Sequence, residues 1–174
     1  MAGTKGNRRV LYTQKVIKES LLELLKEKNI HKVTVTDICK KADINRGTFY
    51  SHYKDAHDLL NSMENEFFDT AYNFVKDYSD DALLKVLYLI KDNKDLCKII
   101  FCLQMDSRIL SRIFFIANKI DVESMLKEED KIYIDYLIKY SVGGVIAIIQ
   151  DWLEGDLKEE PEFILDIINR VKRI

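Results

Sequence analysis

A chain of 174 residues, 47% of them apolar, is long enough for one domain or for a small domain joined to a larger one, and it buries a sizeable core. One proline and six glycines among plentiful Leu, Ile, Lys and Glu exclude a sheet with many turns and predict an all-α fold of about nine helices. The formal net charge of −2 conceals an asymmetry. Residues 1–54 hold 12 Lys and Arg against 5 acids, a net of +7, and residues 55–174 hold 15 against 24, a net of −9. A basic head on an acidic body suits a protein that touches polyanions with one end only, although solvated lysines on helix surfaces give the same imbalance.

In chain order, residues 1–9 are small, polar and basic and are expected to form a mobile arm, with no apolar run that would make a secretion signal. From 13 to 28 the apolar positions Val16, Ile17, Leu21, Leu24 and Leu25 recur at helical spacing, and Asn29 supplies a stop. The segment 33–53 then reads as two short helices around a tight turn. Thr36 is expected to cap the first, 37–42, with Asp37 at the positive end of its dipole, and Asn45 to cap the second, which starts at Arg46. Val35, Ile38, Ala42, Ile44, Phe49 and Tyr53 form the apolar set, which leaves Arg46, Thr48, Tyr50 and His52 to reach outward. A helix pair of this kind, spanning 33–52, is how a chain places a recognition helix in the DNA major groove.

Asp55 is expected to cap a long helix from 56 to about 78, with Leu59, Leu60, Met63, Phe67, Ala71, Phe74 and Tyr78 on one stripe, long enough to start in the basic head and end in the acidic body. Asp80 and Asp81 end it and cap a helix to about 91; further helical patterns cover 94–103, 107–120 and about 129–154. The last is apolar on most of its circumference, so a partner subunit is its natural cover. Pro161 fits the first turn of a final helix, 162–170. Domains of 1–54 and 55–174 follow, with the head element reaching to about 68 if the start of the linking helix is included.

Other chemistries find no support. Cys39, Cys97 and Cys102 cannot all pair, which points to a reduced, cytoplasmic setting and to core-filling thiols. The apolar stretch 132–149 is interrupted by Asp135 and Lys139, against a membrane span. The glycines match no phosphate-cradling loop, and His31, His52 and His57 form no metal cluster; His52 with His57 and Asp58 is the nearest approach to one. No cofactor, metal or catalytic group is expected, and the chain is read as a non-enzyme.

The helix 13–28, then Thr36-Asp37-Ile38, Ala42, Arg46-Gly47-Thr48-Phe49-Tyr50, His52-Tyr53 and Asp58-Leu59-Leu60, resemble the N-terminal head of the TetR family of transcriptional regulators. Gly143-Gly144 and residues 151–155 resemble the penultimate helix of a small-bodied branch of it. The resemblance implies that Thr36 and Tyr50 meet phosphates, that Arg46 and Thr48 reach base edges, and that His52 and Lys54 approach the backbone; Thr34, Asn45 and Gly47 complete the DNA-facing set. Arg46 on a phosphate, and Thr36 as a cap only, are the plainer alternatives. The chain departs from the family pattern at Asp43, where a glycine is usual, and at Ala56, where a lysine is usual and whose phosphate contact Lys54 or Lys41 would replace.

The resemblance also implies a homodimer, through helices of about 129–154 and 161–173, that reads a pseudo-palindromic operator on double-stranded DNA and acts most often as a repressor released by a small molecule. Phe74, Tyr88, Phe101, Met105, Phe114 and Tyr136 are the residues expected to line an effector cavity, with plain core as their alternative. In the second reading the body is a docking surface for a protein partner of co-activator type.

Overall fold

The computed structural model describes residues 3–76, 79–103, 105–117 and 133–171. Among them lie nine α-helices, one 3₁₀ turn, one π-helical turn and no strand. The chain forms two compact units, residues 1–65 and 66–174, and the division falls inside a helix.

The first unit contains α1 (Gly3–Glu27), a 3₁₀ turn (Ile30–Lys32), α2 (Val35–Ala42), α3 (Arg46–Tyr50) and the start of α4 (Ala56–Val75). Its core is the stripe expected of α1, with Ile17 and Leu21 fully buried and Leu24 and Leu25 nearly so, closed by Ile38, Phe49, Leu59 and Leu60. The expected arm at 1–9 is corrected by the helix, which already runs from Gly3. Once the buried turns of α1 are formed, each further residue adds a hydrogen bond without a new nucleation cost, and no proline stops it. The exposed apolar residues Val10, Leu11 and Tyr12 mark this extension as unsupported by core.

The expected cap at Asp55 is present. Its Oδ1 accepts the Asp58 N–H at 2.8 Å, and Asp58 Oδ2 accepts the N–H of the preceding residue, Lys54, at 2.9 Å; together the two bonds fix where α4 begins.

The second unit holds the rest of α4, then α5 (Ala82–Asp92), α6 (Lys94–Lys98), the π-turn (Ile99–Leu103), α7 (Ser107–Ala117), α8 (Ile134–Glu154) and α9 (Pro161–Val171). Asp81 sits at the cap position of α5 without a capping bond; its carboxylate takes the Lys85 ammonium instead, at 2.8 Å. The single helix expected over 94–103 widens at Ile99. The wider turn buries Ile99, Ile100 and Phe101 in succession, and the Phe101 carbonyl accepts the Gln150 side-chain amide of α8 at 2.6 Å. Pro161 is buried at the first position of α9, and the α8–α9 connection is tied by Trp152 Nε1 donating to the Glu159 carbonyl at 2.9 Å. The helix ends expected at 78, 120, 129 and 173 lie outside the described residues. No helix among the described residues is long and apolar enough to cross a membrane.

Candidate nucleic-acid interface

Thr34, not Thr36, caps α2. Its Oγ1 accepts the Asp37 N–H at 3.2 Å while Asp37 Oδ2 accepts the Thr34 N–H at 3.0 Å and the Thr34 hydroxyl at 2.8 Å. The capping geometry needs an acceptor three residues before its reciprocal acid, a spacing that Thr34 has and Thr36 lacks. The Lys28 ammonium closes on the same Asp37 oxygen at 2.8 Å, and this bond, ahead of the Thr34 bonds, holds the carboxyl at about 2. The acid nearest the start of α2 is thereby ionised and locally neutralised.

The turn after α2 rests on Asp43, with φ 52° and ψ 47°, the left-handed conformation in which glycine is usual. Asp tolerates this region better than most residues, which explains how the departure from the family pattern leaves the turn intact. Asp43→Val is expected to lower the stability of the head by about 1–2 kcal/mol, read by chemical denaturation, because a β-branched residue resists positive φ. Asp43→Gly is expected to keep the fold and, by removing a carboxylate, to tighten DNA binding at low salt.

Asn45 caps α3 as expected. Its Oδ1 accepts both the Thr48 N–H at 2.8 Å and the Thr48 hydroxyl at 3.1 Å. A Cβ at Gly47 would meet that same oxygen at 3.2 Å, so the absence of a side chain there leaves the cap undisturbed. Phe49 and Tyr53 are buried, with ring centroids 5.9 Å apart, and belong to the core.

Side chains expected to face DNA stand outward on or around this capped helix. Arg46 and Thr36 are exposed and joined, the guanidinium Nη2 donating to Thr36 Oγ1 at 2.7 Å. Tyr50 is 56% exposed and Thr48 half-buried. His52 is half-buried with its ring near Tyr53, and Lys54 and Thr34 are exposed. Lys41 is committed elsewhere, its ammonium 2.7 Å from Glu23 of α1, which leaves Lys54 as the lysine available in place of the one absent at position 56. Ala56 itself is 3% exposed.

The Thr36–Arg46 bond and the Thr34 cap escaped sequence reasoning; the Thr-x-x-Asp spacing signalled the second, and nothing local signals the first. His57 pairs its ring with His31, at 5.0 Å between centroids, rather than with His52. Among the described residues no group of three or more His, Cys, Asp or Glu is placed to hold a metal ion.

Two family profiles match the chain: bacterial regulatory proteins of the tetR family over residues 17–63, and a transcriptional regulator C-terminal region of TetR type over residues 77–173. The chain belongs to the TetR family. TetR-family regulators are DNA-binding transcription factors and not enzymes. This TetR-family protein is 23% identical over 155 residues, 81% of its own length and 79% of the relative's, to the dhaKLM operon transcriptional activator DhaS of Lactococcus lactis subsp. lactis (strain IL1403). It is 38% identical over 58 residues to the HTH-type transcriptional regulator YxbF of Bacillus subtilis (strain 168); the match takes in 33% of this chain and spans 15% of YxbF. In fold it is similar to a TetR transcriptional regulator from Streptococcus agalactiae 2603V, with a TM-score of 0.67, 23% identity and coverage of 95% and 96% of the two chains. The dihydroxyacetone kinase operon activator DhaS gives a TM-score of 0.60 at 20% identity, over 91% and 93%.

The body of this TetR-family protein does not gather the six expected effector residues around one hollow. Phe101 is buried against Phe67, with ring centroids 6.5 Å apart, while Phe74, Met105 and Phe114 are half-buried. Tyr88 is exposed and its hydroxyl donates to Glu162 of α9; Tyr136 is 72% exposed. An open hollow of about 490 Å³ lies where α4 meets α7, lined by Phe68, Asp69, Tyr72, Ser111, Arg112, Phe115 and Ile116, none of them among the six. The Arg112 guanidinium lies 4.4 Å from the Phe68 ring centroid there.

Proposed function

We propose that the chain reads a pseudo-palindromic operator as a homodimer, with Arg46 and Thr48 at base edges and Tyr50, His52 and Lys54 along the backbone. The observation that carries the reading is the outward face of α3, where Arg46 and Tyr50 stand exposed on a helix whose first turn is closed by Asn45. The dimer is supported by α8, which exposes Tyr136, Tyr140, Gly143, Gly144 and Ala147 along one stripe, and by Phe163 and Val171 of α9. An isologous contact of these helices would set the separation of the two recognition helices.

Repression relieved by a small molecule is the first reading of the regulation, in the cytoplasm where operator DNA is found. Activation in concert with a protein partner is the second, and two observations favour it: the hollow at α4 and α7 is open rather than enclosed, and DhaS is named an operon activator.

Selection of bound sequences from random duplexes tests the core of the proposal. It should return an inverted repeat, bound by two copies of the chain, with affinity falling steeply as salt rises. A chain that stays monomeric at micromolar concentration and enriches no motif would refute it. A reporter placed behind the selected operator then reads the sign of regulation.

A further inference from the structure

We propose that Thr36 is a positioning residue for Arg46, setting how sharply that arginine discriminates bases rather than serving as an independent phosphate anchor. Arg46 is the first residue of α3 and Thr36 stands in the first turn of α2, ten positions earlier in the chain, yet Nη2 and Oγ1 are 2.7 Å apart. Thr36 is not needed to close its own helix, because Thr34 fills that role. Its hydroxyl oxygen instead accepts from a cation on the neighbouring helix.

Both ends of this link are anchored. Thr36 sits on a helix fixed by the Thr34–Asp37 box, and Arg46 on one fixed by Asn45. An exposed arginine otherwise samples many rotamers, all but one of which must be given up when it docks against a base pair. The Thr36 bond selects one before DNA arrives. Only one hydrogen of Nη2 is used, so one two-pronged edge of the guanidinium remains for a guanine, whose O6 and N7 require two parallel donors. A threonine that anchored a phosphate would act on every sequence alike; one that aims a base-reading arginine acts on the difference between sequences.

The proposal rests on the base-reading role of Arg46, and the experiment separates the two. Dissociation constants are measured for the selected operator and for a duplex altered at the base pair that Arg46→Ala relaxes, using the wild-type chain, Thr36→Val, Thr36→Ser, Arg46→Ala and the double variant Thr36→Val/Arg46→Ala. Valine keeps the shape and removes the acceptor, and a thermal melt of each variant confirms that the head is folded. Thr36→Val is expected to cut the ratio of the two constants by about three- to tenfold, with affinity for the altered duplex unchanged within about twofold. Thr36→Ser should restore the ratio, and the double variant should discriminate no worse than Arg46→Ala alone. An unchanged ratio in Thr36→Val, or an equal loss on both duplexes that adds to that of Arg46→Ala, overturns the proposal. If no altered base pair distinguishes Arg46→Ala from wild type, the base-reading role has failed and the proposal falls with it.

Discussion

Arg46→Ala is expected to abolish the preference at one base pair in each half of the operator while leaving the melting temperature of the protein unchanged. The side chain is exposed, and its visible bond is to another exposed residue, Thr36, so little folding energy is at stake. A bidentate arginine contributes about 1–3 kcal/mol of discrimination against the wrong base, and a dimer loses it twice. Titration of matched and single-mismatch duplexes reads this directly. Should Arg46 hold a phosphate instead, the variant would weaken binding to all duplexes alike and lower the salt slope by about one unit per half-site. Tyr50→Ala is the companion measurement, since a backbone contact at that position predicts the uniform loss.

Phe49→Ala is expected to have the opposite profile, losing the head and keeping no binding to compare. Phe49 is fully buried, with Tyr50 and Tyr53 ring centroids 5.7 Å and 5.9 Å away, and truncating such a residue costs about 3–5 kcal/mol. A unit as small as residues 1–65 holds only a few kcal/mol in reserve, so the loss is comparable to its whole stability. Chemical denaturation followed by far-UV dichroism should show an early transition that the wild-type chain lacks. A single unshifted transition would mean that Phe49 is dispensable to the head.

The head was legible because its signals are local and redundant. Asn45 and Asp55 cap the helices expected of them, and Ile17, Leu21, Ile38 and Phe49 are buried where their spacing put them. The mistaken cap at Thr36 arose from adjacency to Asp37, whereas the structural rule is a separation of three. What stayed hidden is what distant residues decide. The π-turn at Ile99–Leu103 answers to Gln150, 49 positions away, and no pattern within the turn announces it. The aromatic residues of the body carry a helical period but no label for which neighbour each face meets, so Tyr88 and Tyr136 stand in solvent while Phe68 and Tyr72 line the hollow.

The Asn45 carboxamide oxygen has a consequence for how such a head acquires new targets. One atom holds the amide and the hydroxyl of Thr48 and leaves no comfortable room for a side chain at Gly47. Positions 45 and 47 are therefore committed to starting the helix, and 49 to the core. Retargeting of the operator, by natural drift or in the laboratory, has mainly positions 46 and 48, and position 36 through Arg46, to vary without unmaking the helix that presents them. The vocabulary of this reader is short, and its dialects should differ first at the base pair facing Arg46.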